Sequence, residues 1–160
     1  MTTLEIETPA TIFDMADMAD AHTQIHWAIA KQMWSHGETH VLREDGKPIC
    51  LFGIYPNDGW AEAWFSVRPE CARHMGLIVR HGRLTLDAAP YPAIVTFCAT
   101  DAGRRLARLC GFRFVEHWNN TELWQRDGRI IRREKRCGRS SQTAGEQPET
   151  PVGRSGAATG

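Results

Sequence analysis

No stretch of this chain approaches eighteen consecutive apolar residues, which excludes a membrane-crossing helix of ordinary length. Net charge is absent too: nineteen Lys and Arg balance nineteen Asp and Glu, and the basic run from Arg129 to Arg139 lacks the interleaved aromatics of a nucleic-acid surface, so no nucleic-acid partner is expected. The first residues, MTTLEIETPAT, lack the basic flank and apolar stretch of a signal peptide, and a protein that is not exported is expected. Cysteine is present but unpaired in number. Cys50, Cys71, Cys98, Cys110 and Cys137 lie mostly within apolar segments, which argues against a disulfide framework and for reduced thiols in a cytoplasm-like compartment. Tyrosine is scarce, with Tyr55 and Tyr91 alone, and no internal repeat is visible.

What is present fits one compact domain, since 160 residues are too few for two of ordinary size. Charge divides it unevenly. Up to Gly128 there are twelve Lys and Arg against sixteen Asp and Glu, a net of −4, and the remainder carries seven against three, a net of +4. That remainder opens on Arg129, Arg132, Arg133, Lys135, Arg136 and Arg139, then passes into Ser, Thr, Gly, Pro and Glu without aromatic residues. Residues 1–128 are therefore expected to be the domain, and 129–160 a basic, low-complexity tail without a core.

Tyr91 to Trp118 is the most legible segment. Ala93 to Cys98 is a short apolar strand, Thr100 or Asp101 can cap a helix, and Leu106, Leu109 and Cys110 supply its apolar stripe. Gly111 suits a left-handed helix stop, after which Phe112, Phe114 and Val115 restart an extended segment. Upstream, Thr3 to Glu7 alternates as a strand and Thr8-Pro9 predicts a helix start. Ile12 to Ala19 and Ile25 to Met33 predict two helices. Asp45-Gly46 and Asn57-Asp58-Gly59 mark the turns of a three-strand meander ending in Trp60 to Val67. Pro69 opens a long helix with Met75, Ile78, Val79 and Leu86 apolar, and Thr121 to Arg126 is a last strand.

This order, β α α β β β α β α β β, resembles the GNAT family of acyl-CoA N-acyltransferases. The matching features are the hairpin Arg43 to Leu51, the strand end Phe65-Ser66-Val67-Arg68-Pro69, and Leu106 to Phe112. The resemblance implies an α/β (α+β) fold with a mixed central sheet of six to seven strands flanked by four helices. It also implies acetyl-CoA as cofactor and an amine as acceptor, with no metal. In that family a loop of the form Arg/Gln-x-x-Gly-x-Gly/Ala precedes the long helix and binds pyrophosphate through backbone amides. The nearest match is Arg73-His74-Met75-Gly76-Leu77-Ile78, with Ile78 in a small-residue position; Val67, Arg73, His74, Gly76 and Leu77 are the implied cofactor contacts.

Glu62 stands where the family often places its base, while the usual tyrosine acid is replaced by Ala107. Seven histidines and the fragment Cys71-x-x-His74 form no metal motif. A narrower resemblance, carried by Phe52-Gly53, Trp64-Phe65 and Tyr91-Pro92, is to degenerate GNAT-like internal virion or capsid-assembly proteins of phages and prophages. It implies a second possibility: a non-catalytic protein of the cytoplasm or the virion, with phage structural proteins as partners.

Overall fold

The computed structural model describes residues 2–128, so the basic tail lies outside the described residues. Its elements are β1 (Leu4–Glu7), α1 (Ile12–Met18), α2 (Gln24–His36), β2 (Glu38–Glu44), β3 (Lys47–Asn57), β4 (Trp60–Val67), a 3-10 helix (Pro69–His74), α3 (Met75–Ala88), β5 (Ala93–Cys98), α4 (Asp101–Leu109), β6 (Arg113–Trp118) and β7 (Thr121–Asp127). One seven-stranded sheet runs β1-β2-β3-β4-β5-β7-β6. Every pairing in it is antiparallel except β4 with β5. Four helices flank this mixed sheet in a single domain, as expected.

Strand alternation gives the sheet two different faces. Val41, Leu51 and Trp64 pack under α1 and α2 with Met15, Met18 and Ala30. Ile54, Ala61, Ala63 and Ile94 point the other way, against Leu86 of α3 and Leu106 and Ala107 of α4. The meander follows from its turns: Asp45 and Gly46 have φ of 48° and 79°, the paired left-handed conformations of a type I′ hairpin. At the corner, Thr100 Oγ1 accepts from the Gly103 amide at 3.1 Å and Gly111 has φ of 87°. Between β5 and β6, however, lies β7, which pairs with both.

Local expectations fail in four places. Pro9 does not start α1; Thr11 does, because it accepts from the Asp14 amide at 3.2 Å while Asp14 accepts from the Thr11 amide at 2.8 Å. Arg43 then fixes that carboxylate through contacts of 2.7 and 2.8 Å. Pro69 opens a 3-10 helix rather than the long helix, which begins at Met75. In α4 the buried stripe is Leu106, Ala107 and Cys110, with Leu109 52% exposed, because the small Ala107 side chain lets the helix approach the sheet. Finally, α2 buries only Ala30 fully, while Ile25 is 71% and Ile29 51% exposed.

Candidate active site

Strands β3 and β4 stay paired over eight positions, from Asn57↔Trp60 to Cys50↔Val67. Strands β4 and β5 pair only at Ala61↔Ile94 and Glu62↔Val95 among the described residues. Beyond that rung β4 leaves, while β5 keeps its register with β7 as far as Cys98↔Glu122. From Ala63 to Val67 and from Thr96 to Cys98, backbone groups facing the gap therefore have no ladder partner across it. A cavity of about 120 Å³ occupies the divergence, walled by Glu62, Trp64 and Phe97 from one face and by Phe65, Thr96 and Ala107 from the other. Its lining is therefore drawn from both faces of the sheet.

Glu62 sits on the last shared rung, at the mouth of this gap, and burial raises its pKa above the ordinary carboxylate value. Opposite it on β3 is Tyr55, whose side chain shares the Glu62 face. The Tyr55 hydroxyl accepts a hydrogen bond from Gln32 Nε2 of α2 at 3.0 Å. From the sequence alone Tyr55 had no role in the site. Counting outward from the Asp58-Gly59 turn would have paired it with Glu62. Ala107 does line the gap, and it brings only a methyl group. Cys98 also lines it, with its thiol pushed up by burial.

At the far end of β4 the implied cofactor contacts divide. Val67 closes the strand, Arg73 and His74 end the 3-10 helix, and Gly76 and Leu77 lie in the first turn of α3. A Cβ built on Gly76 would meet nothing within 4 Å, so this turn is open to an approaching group. Ile78 does not obstruct it. Its side chain points inward, packed with Leu42, Ile49, Cys50 and Cys71, because the helical register places it one position past the open turn. Arg73 and His74 both face Glu44: Arg73 Nη2 pairs with Oε2, and His74 Nε2 lies 3.0 Å from Oε1. Arg73 first, and His74 next, hold the Glu44 carboxyl below its ordinary range.

Among the described residues no group of three or more His, Cys, Asp or Glu could hold a metal ion, and no helix is long and apolar enough to cross a membrane. No protein-family model matches the chain, and no curated protein matches it in sequence.

Solved structures do match. An IAA acetyltransferase from Bacillus cereus is 15% identical, covers 78% of this chain and 99% of its own, and superposes with a TM-score of 0.59. An acetyltransferase from Streptococcus agalactiae is 12% identical, over 78% of this chain and 98% of its own, with a TM-score of 0.61. A GNAT family acetyltransferase from Elizabethkingia anophelis, solved with acetyl-CoA bound, is 16% identical over 79% and 97%, with a TM-score of 0.56. The chain has the fold of the GNAT acetyltransferases. These likenesses lend nothing to the narrower resemblance to phage virion proteins.

Proposed function

We propose that the chain is an acetyl-CoA-dependent N-acetyltransferase with Glu62 as its general base. One observation carries this: a partly buried carboxylate stands on the rung where β4 and β5 part, in the wall of the cavity between those strands. Acetyl-CoA bound there would supply a thioester carbonyl for attack by an amine.

The unpaired backbone edges of residues 63–67 on β4 and 96–98 on β5 suit an amide-bearing arm laid between the strands. Val67, Gly76 and Leu77 would border its phosphates at the α3 end, with Arg73 supplying a guanidinium shared with Glu44 and His74 a ring N–H beside it. A bound ammonium must lose a proton before it can attack. Glu62 takes that proton at a carboxylate oxygen, and a pKa raised by burial makes it the stronger base. No acid comes from Ala107. Tyr55 carries the hydroxyl on the Glu62 face, while Tyr91 packs against the α3–α4 core.

Release of coenzyme A thiol in the presence of an amine tests the proposal. Glu62→Gln should lower kcat by about 10²- to 10⁴-fold, the usual loss when a positioned base is removed. Ala107 favours the competing reading, a GNAT-like scaffold without turnover. That reading predicts no thiol release from wild type and no difference in Glu62→Gln.

A further inference from the structure

The face that carries Glu62 holds a second cavity, of about 150 Å³, under α1 and α2. Its walls are apolar: Met15 of α1, Ile29, Ala30 and Met33 of α2, and Leu51 of β3. His26 and Ser66 are the polar side chains in its lining, and Ser66 Oγ already donates to the Met18 carbonyl at 2.9 Å. Among the described residues no carboxylate, lysine or arginine lines it. Trp64 lines both this cavity and the gap. The ring can lie there because its partner across the ladder is Gly53. Trp64 Nε1 is buried with no hydrogen-bond acceptor among the described residues, an arrangement that is costly unless something else supplies one.

We infer that this cavity binds the apolar part of an amine acceptor, a group of about five or six carbons, with the nitrogen held toward Glu62. The inference rests on the acetyltransferase reading for the fate of the amine, though not for its binding. Size sets the first limit: a dry cavity of about 150 Å³ walled by aliphatic side chains accommodates a benzene-sized group. Polarity sets the second, since a charged or strongly polar group buried here would find no partner in those walls. Distance sets the third. Glu62 and Trp64 are two residues apart on one face, about 7 Å along the strand. An amine can thus reach the carboxylate while its carbon chain passes the indole.

Calorimetric titration of the full chain with n-alkylamines from propyl to octyl, without coenzyme, tests this directly. Each added methylene should tighten Kd about fourfold until five or six carbons are buried, after which the series should flatten. Ala30→Leu should move the break to shorter chains, and Met33→Ala should move it to longer ones. The second variant keeps the test decisive if the first fails to fold. Affinity that ignores chain length, or a break that neither substitution moves, overturns the inference. Acetyl-CoA titrated into the same protein separates the two claims. Cofactor binding without a chain-length series defeats only the apolar pocket. A chain-length series without cofactor binding supports the pocket and defeats the transfer reaction.

Discussion

Adding one methyl group at Gly53 would disturb the Trp64 side chain, a residue that lines both cavities. An alanine Cβ there would stand 2.5 Å from Trp64 Cζ2, 2.7 Å from Trp64 Cε2 and 2.7 Å from the Glu38 carbonyl oxygen. Carbon atoms pack best at about 3.5–4.0 Å, so each approach is about 1 Å too close. The Glu38 carbonyl cannot rotate away, because β2 is held in register with β3 at Glu38↔Ile54 and Thr39↔Gly53. The indole must move instead. Overpacking of this kind costs about 1–3 kcal/mol, and a backbone contact argues for about 3. Gly53 is not among the residues with positive φ, so alanine is otherwise permitted there. Its lower unfolded-state entropy would return about 0.4–1 kcal/mol. A net loss of about 2 kcal/mol corresponds to about 6–10 °C in a domain of this size. Thermal melts followed by far-UV circular dichroism should show that drop, and alkylamine affinity should fall with it. A Gly53→Ala protein melting within about 1 °C of wild type would refute the placement of the ring.

Two further outcomes concern ionisable groups. The Glu44 pKa is lowered in the fold from 4.5, so its stabilising contribution is present above that value and is lost as pH falls through the folded pKa. Glu44→Gln should therefore melt below wild type at pH 7, with the gap narrowing as pH falls below 4.5 through the folded pKa; a gap of constant size would contradict the contact with Arg73 and His74. Burial pushes the Cys110 thiol up to about 11, so iodoacetamide at pH 8 should leave Cys110 unlabelled until denaturant is added. Equal labelling of native and unfolded protein, read by peptide mass spectrometry, would show that Cys110 is not enclosed.

Local chemistry made much of the fold legible. Asp45-Gly46 sets a hairpin by its own left-handed backbone, and Thr100 with Gly111 frames α4 within a dozen residues of chain. The errors arose where a distant partner chose between local options. Pro9 and Thr11 can both start a helix, and Thr11 does so with Asp14, which is fixed by Arg43 from β2. Whether Leu109 or Ala107 faces inward depends on how closely α4 approaches the sheet. The candidate site was legible as residue types but not as geometry. Glu62 was singled out by the family resemblance, whereas its pairing with Tyr55 depends on register and the gap beside it depends on where β5 diverges. Nor does the sequence show that Arg73 and His74 converge on Glu44, about thirty residues earlier.

Whether the gap between β4 and β5 holds acetyl-CoA is the question on which the proposed function depends. Isothermal titration of the full chain with acetyl-CoA answers it: saturable heat with one site per chain is predicted, weakened when Arg73 is replaced by alanine. No heat at millimolar acetyl-CoA, from protein shown to be folded by its melt, would contradict it.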